Sequence, residues 1–157
     1  HDAAANVSPH IFRKCLLKTG YPDVFDDQGE TPLFYTLKSN FSRAWTNFCI
    51  LMAEGADLMA HNKAGHSFFH KAVLQESRHI YLALTYKNAL LEKTPEGNTP
   101  LHMAFLSGNV FMINCLLNFA SLEALNIQNN EGKAIFDLAN EFGDQRIIDR
   151  LNEYLIN

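Results

Sequence analysis

With 157 residues, 47% of them hydrophobic and 19% charged, the chain has the composition of a folded globular domain and not of a disordered one, and at this length it buries about two-thirds of its unfolded surface. Its 13 basic against 17 acidic residues leave a formal net charge of −4, with Lys and Arg scattered singly, which argues against a nucleic-acid partner. No apolar run approaches the roughly 20 residues of a membrane span and no signal-peptide pattern opens the chain, so a soluble domain without a membrane partner is expected.

In chain order, the start on His1 instead of Met points to a longer parent protein, and Asp2 to Val7 reads as a small, polar, disordered lead. Ser8-Pro9 then caps a helix carrying Ile11, Phe12, Cys15, Leu16 and Leu17 on one side and ending at Gly20. From there one pattern recurs. Thr31-Pro32-Leu33-Phe34 follows Gly29, Ser67-Phe68-Phe69-His70-Lys71-Ala72 follows Gly65, Thr99-Pro100-Leu101-His102-Met103-Ala104 follows Gly97, and Ala134-Ile135-Phe136-Asp137-Leu138-Ala139 follows Gly132. The starts Thr31, Ser67, Thr99 and Ala134 stand 36, 32 and 35 residues apart.

The third copy shows the physics best. Thr99 is a good N-cap, Pro100 sits at the first helical position where its missing N–H costs nothing, and Leu101, Ala104 and Phe105 recur at helical spacing. Gly108-Asn109 breaks this helix, and a second apolar helix is expected over about Val110 to Phe119, followed by a return segment, Leu125 to Asn129. In the last copy, a helix near Ile135 to Phe142 precedes a Gly143-Asp144 break and an outer helix with Ile147, Ile148, Leu151, Tyr154 and Leu155. Two short helices cannot close a core alone, so each copy needs its neighbours to stack on.

The Thr-Pro-Leu-His-x-Ala core at residues 99–104 and its registered copies resemble the ankyrin-repeat family, whose unit is roughly 33 residues long. The resemblance implies an all-α ankyrin-repeat solenoid of stacked helix-turn-helix units with short β-hairpin loops, forming a single domain over residues 1–157. Its parts would be an N-terminal half-repeat at 8–26, full repeats at 27–61, 62–94 and 95–129, and a C-terminal capping repeat at 130–157. It also implies that His70 and His102 occupy the family's His position, where a neutral imidazole bridges backbone groups of adjacent repeats. Asp137 takes that place in the last unit.

His61, His66, His70 and His79 invite a metal reading, but no Cys or paired carboxylate completes a ligand set at a workable spacing, and His61, His66 and His79 are expected at the surface. Cys15 and Cys115 precede paired leucines and read as small core hydrophobes, whereas Cys49 is expected to be partly exposed. Three thiols without paired spacing point to a reducing, cytoplasmic compartment. No phosphate-binding Gly-rich loop, nucleophile elbow or zinc-protease motif is present, so neither catalysis nor a cofactor is expected.

The resemblance then implies a protein-interaction module, monomeric by itself, that holds a protein partner against inner helices and hairpin tips lining a concave groove. In that register the partner-facing positions are Tyr35, Lys38, Lys71, Leu74, Gln75, Met103, Leu106, Glu141 and Phe142, with Ser39, Ser107 and Leu138 beside them. The tips include Asp27, Gln28, Glu30, Lys63, His66, Glu96, Asn98, Asn130, Glu131 and Lys133. The first repeat is three residues longer between its helices than the third, around Lys38 to Trp45, so Trp45 either serves as a binding anchor or folds back over its own outer helix. The alternative is an appendage that recruits substrate to a larger enzyme, or an effector of an intracellular bacterium delivered into a host cell, the latter from the abundance of Asn, Phe, Ile and Lys that marks an AT-rich genome.

Overall fold

The computed structural model describes residues 20–38, 41–79 and 86–156. The lead at Asp2 to Val7, the capped helix from Ser8 with Cys15, and Ser39 lie outside the described residues, as does the side chain of Lys38. Within them the chain is all-α. The helices are α1 (Pro32–Tyr35, running into a 3-10 turn at Thr36–Lys38), α2 (Phe41–Ala53), α3 (Phe68–Leu74), α4 (Pro100–Leu106), α5 (Val110–Leu117), α6 (Leu122–Asn126), α7 (Ile135–Phe142) and α8 (Gln145–Ile156), with a further 3-10 turn at Lys87–Leu90. One antiparallel bridge joins His61 to Ser67. The chain divides into two compact units that part between His79 and Ile80. The first holds α1 to α3 and the second α4 to α8.

Every inner helix is introduced by the same five-residue turn. The N–H of its first residue donates to the carbonyl of its fifth: Asp26 to Glu30 at 3.1 Å, Asn62 to His66 at 3.0 Å, Thr94 to Asn98 at 2.9 Å and Asn129 to Lys133 at 3.0 Å. The side-chain oxygen of the first residue accepts further N–H bonds from within the turn, two each for Asp26, Asn62 and Asn129 and one for Thr94. This is the local competition with the backbone that makes Asp, Asn and Thr good turn residues. The fourth residue is a glycine with φ of +71° to +78° (Gly29, Gly65, Gly97, Gly132), a conformation that costs other residues roughly 1–2 kcal/mol.

Within each unit the tips bond to one another. Lys63 N–H donates to the Gln28 carbonyl at 2.9 Å in the first unit, and Asn130 N–H to the Glu96 carbonyl at 3.0 Å in the second. The amides of Asn129 and Asn130 add bonds to Asn98 Oδ1 and to the Pro95 carbonyl, at 3.0 and 2.8 Å. The approach is close enough that a Cβ on Gly97 would come within 2.8 Å of Asn130 N, and one on Gly29 within 2.9 Å of Lys63 N, whereas one on Gly132 would meet nothing within 4 Å.

The third residue of an inner helix reaches back to the residue that caps it. His102 Nδ1 lies 3.3 Å from Thr99 N and 2.7 Å from Thr99 Oγ1, while its Nε2 lies 3.1 Å from the Lys133 carbonyl of the next hairpin. A backbone N–H can only donate and a carbonyl can only accept, so the ring is neutral with its proton on Nε2. Burial holds the His102 pKa below its ordinary value. His70 repeats the contact, 3.1 Å from Ser67 N and 2.8 Å from Ser67 Oγ, and Asp137 Oδ2 does so on Ala134 N at 2.9 Å. In the first repeat the corresponding residue is Phe34, which has nothing to offer, and Thr31 Oγ1 finds no hydrogen-bond partner among the described residues.

The first unit is packed around aromatic rings. Phe34, Phe68 and Phe69 are fully buried with Leu33 and Leu51, each contributing roughly 1.5–3 kcal/mol relative to exposure, and Phe68 meets Phe34 and Phe69 edge to face at 6.3 and 5.6 Å. Two surface expectations are corrected here. His79 is buried, because its ring lies against Trp45, Phe48 and Phe68 at 5.7, 5.5 and 6.2 Å and its Nδ1 bonds Ser77 Oγ at 2.8 Å. Glu30, expected at a tip, is buried with its carboxylate 2.9 Å from the Lys71 ammonium.

In the second unit α5 is capped by Asn109, whose Oδ1 accepts from Met112 N at 3.0 Å, and it buries Met112, Ile113, Cys115, Leu116 and Leu117. The expected return segment begins instead as the short helix α6, because the Ser121 hydroxyl accepts from Ala124 N at 3.2 Å. α8 is fastened to α5 by Arg150, which donates to Asn114 Oδ1 at 3.0 Å and Asn118 Oδ1 at 2.5 Å, and by the Tyr154 hydroxyl, which donates to the Leu117 carbonyl.

The turn geometry separates two glycines that look alike in sequence. Gly97→Ala and Gly132→Ala should both lose the roughly 1–2 kcal/mol of left-handed strain, and Gly97→Ala should lower the thermal midpoint further because its methyl meets the Asn130 backbone. His102→Ala should cost about 1–3 kcal/mol in urea unfolding by stranding the Thr99 N–H and leaving the Lys133 carbonyl with only its bond from Asn129 N–H. For acid, the sign follows from His79, whose pKa burial lowers from 6.5 to about 4. Below pH 6.5 the unfolded chain binds a proton that the folded unit refuses, so stability should fall as pH drops from 6.5 towards 4 and stay flat with respect to this group above 7. Urea midpoints read by Trp45 fluorescence at pH 7.5 and pH 5 check this.

Candidate partner-binding surface

Counting from the cap residues Thr31, Ser67, Thr99 and Ala134 puts the sequence-derived site residues into three registers. The fourth residue after the cap is Tyr35, Lys71, Met103 or Leu138, the seventh is Lys38, Leu74, Leu106 or Glu141, and the eighth is Ser39, Gln75, Ser107 or Phe142. On a helix, residues three and four positions apart share a face, which is the spacing of these three registers; Ser39 lies outside the described residues.

The seventh position is the exposed one. Leu74 and Leu106 each end their inner helix, α3 and α4, with 45% and 56% of their surface open, and Glu141 is exposed on α7. The fourth position lies lower. Tyr35, Lys71 and Met103 are half-buried, and two of them have structural partners: the Tyr35 hydroxyl donates to Asp26 Oδ2 at 2.7 Å, and Lys71 pairs with Glu30. Leu138 is corrected from exposed to buried, because it belongs to the Ile135, Leu138, Ala139 stripe on which α7 packs. At the eighth position Gln75 and Phe142 are half-buried and Ser107 is exposed.

Within the second unit the structure brings Met103, Leu106, Glu141 and Phe142 onto α4 and α7, which pack against each other. The Phe142 ring stands edge to face on Phe105 at 6.1 Å. The Glu141 carboxylate takes a hydrogen bond from Lys133 Nζ at 2.9 Å, and that bond holds the Lys133 ammonium charged above its ordinary range. Within the first unit Tyr35, Lys71, Leu74 and Gln75 lie on α1, on α3 and just past its end.

Trp45 lies on α2. Its ring stacks on Phe48 of the same helix at 5.7 Å with an interplanar angle of 17°, yet 37% of its surface stays open. Cys49, one turn on from Trp45, is exposed, and Cys115 is buried. Sequence reasoning overlooked Val110 and Phe111, at the start of α5, which are exposed apolar side chains four and five positions after Leu106. Their signal was available in α5, apolar at every position but Asn114 and so too rich for one buried face.

His66 and His70 have ring centroids 6.1 Å apart, and among the described residues no three His, Cys, Asp or Glu side chains gather as a metal site requires. No helix among the described residues is long and apolar enough to cross a membrane.

Residues 96–130 match the family model described as ankyrin repeat. No curated protein matches the chain. Ankyrin repeats are in general protein-interaction modules and typically not catalysts. The matched residues run from the Gly97 turn through α4, α5 and α6 to the next tip at Asn130, and the same turn, cap and inner helix recur at Thr31, Ser67 and Ala134; residues 96–130 are thus similar to an ankyrin repeat, within a chain that is all-α among the described residues.

Proposed function

We propose that this chain binds a protein partner through the exposed ends of its inner helices, each unit offering its own: Leu106 as the apolar anchor in the second unit, flanked by Met103, Glu141 and Phe142, and Leu74 in the first, flanked by Gln75. The observation that carries the reading is the seventh register position. Two leucines occupy the same place in two repeats, each at the last residue of its inner helix, and both leave about half of their surface in water. Apolar surface at that place brings no folding benefit that a polar residue would lose, so its recurrence favours a contact surface. Lys38 takes the same register position in the first repeat. Tyr35 and Lys71 serve the rim of the first unit's surface; Tyr35 also holds its own hairpin through Asp26, and Lys71 holds that hairpin to the next inner helix through Glu30. Trp45 is a secondary contact, offering the edge of a ring already stacked on Phe48.

The division of labour decides how the proposal is tested. Truncating Tyr35 or Lys71 would damage the fold as well as the surface, whereas Leu74→Glu and Leu106→Glu change side chains that contact little of the core. A partner recovered by photo-crosslinking from position 106 should be captured poorly from position 146, whose arginine is exposed on α8. The Leu74→Glu, Leu106→Glu double variant should then keep its thermal midpoint and bind that partner at least roughly 30-fold more weakly, the loss of a hot spot worth about 2 kcal/mol. Unchanged affinity in the folded double variant would remove the inner-helix ends from the site.

A further inference from the structure

The second unit holds a hollow that the partner surface does not use. It is a cavity of about 460 Å³, lined by Leu122 at the start of α6 and by Arg150, Glu153 and Tyr154 of α8. Small-molecule sites run from about 300 to 1,000 Å³, so its size suits a ligand, and none of the four side chains belongs to an inner helix.

The lining residues divide by chemistry. Arg150 is half-buried and directs its guanidinium to neutral oxygens: Nη1 donates to Asn114 Oδ1 at 3.0 Å, with a longer contact to the Asn114 carbonyl at 3.5 Å, and Nη2 donates to Asn118 Oδ1 at 2.5 Å. Among the described residues no carboxylate pairs with it. A guanidinium presents five N–H donors in a planar fork that matches a carboxylate. The two asparagines therefore fix the head of Arg150 and leave its charge without a counter-ion. Glu153 stands three residues on, a spacing that sets Cβ atoms roughly 5–6 Å apart on one helix face, yet the two side chains form no ion pair with each other. Leu122 is exposed, and the Tyr154 hydroxyl donates to the Leu117 carbonyl, which fixes the ring at the cavity wall.

We propose that this cavity binds an α-amino acid with an apolar side chain. The ligand's carboxylate lies on the Arg150 guanidinium, its ammonium group on the Glu153 carboxylate, and its side chain between Leu122 and the Tyr154 ring. An α-amino acid carries both charges on one carbon, so it bridges two opposite charges that stand close without meeting. A carboxylate accepts about four hydrogen bonds, so Glu153 serves the ammonium in addition to its own contacts. A plain organic acid meets Glu153 as a like charge, and a plain amine meets Arg150 in the same way. The zwitterion answers both, and its side chain covers apolar surface that Leu122 otherwise leaves in water.

Titration of the isotope-labelled 157-residue chain with L-phenylalanine and with L-leucine tests this, read on the Nε–H resonance of Arg150 and the backbone amides of residues 150–154. Both should give saturable shifts there. Hydrocinnamate lacks the ammonium group and L-phenylalaninamide lacks the carboxylate, and each should bind at least about tenfold more weakly because it strands one charge. Glu153→Gln keeps the shape of an exposed side chain and should weaken L-phenylalanine by at least about tenfold while leaving hydrocinnamate no weaker. Absence of a saturable shift up to the solubility of both amino acids would overturn the proposal, as would shifts elsewhere with Arg150 unmoved. Equal binding of either truncated probe would overturn it too, and so would an unchanged affinity for L-phenylalanine in the folded Glu153→Gln chain.

Discussion

Everything in this fold hangs from a turn that closes on itself before any helix begins. An N–H from its first residue meets the carbonyl of its fifth, a side-chain oxygen of the first residue gathers the N–H groups between, and a left-handed glycine makes the corner. The turn fixes the direction in which α3, α4 and α7 leave it. It also brings one tip within bonding distance of the next, at Gln28 and Lys63 and again at Glu96 and Asn130. The imidazole of His102 depends on this placement twice, since its Nδ1 reads the cap residue of its own helix while its Nε2 reads the carbonyl of Lys133, the last residue of the following turn. Local chemistry of five residues thereby becomes the coupling between repeats.

The parts of the fold that were legible in sequence are those whose causes lie within a few residues. Thr99-Pro100 announces a helix because cap and first turn are adjacent, and the inner helices α4 and α7 begin where that reasoning puts them. The five-residue turn was only half read. Its glycines were seen, but Asp26, Asn62, Thr94 and Asn129, which stand at the same intervals as the caps, were passed over because three different residue types play one part. Burial was misread wherever the partner is distant along the chain. His79 looks like a surface residue until Trp45, Phe48 and Phe68 close round it, and Glu30 looks like a tip until Lys71, on the next inner helix, claims its carboxylate.

The candidate surface shows the same limit more sharply. Register alone treats Tyr35, Leu74 and Leu106 as equals, because it counts positions along a helix and knows nothing of what each side chain finds. The structure distinguishes a phenol engaged by Asp26 from two leucines that end their helices in water. Leu138 departs from Met103 although both stand four residues after a cap, since Ile135 and Ala139 carry it into the contact surface of α7. A repeat register predicts where a side chain starts, and packing decides where it ends.

The fastening of α8 has a bearing on how the second unit responds to its surroundings. Arg150 is held by the amide oxygens of Asn114 and Asn118, and Tyr154 by the Leu117 carbonyl, so the acceptors in this clamp are neutral dipoles. Dissolved salt screens attraction between full charges over distances near the Debye length, and it has little purchase on short bonds to uncharged oxygens. Among the described residues, the ionic contacts of this unit that salt does reach, such as Lys133 with Glu131 and Glu141 and Arg146 with Asp144, lie at the surface and contribute little. The last helix is consequently anchored in a way that is indifferent to ionic strength, and its attachment persists across salt concentrations that would weaken a docking built on opposite charges.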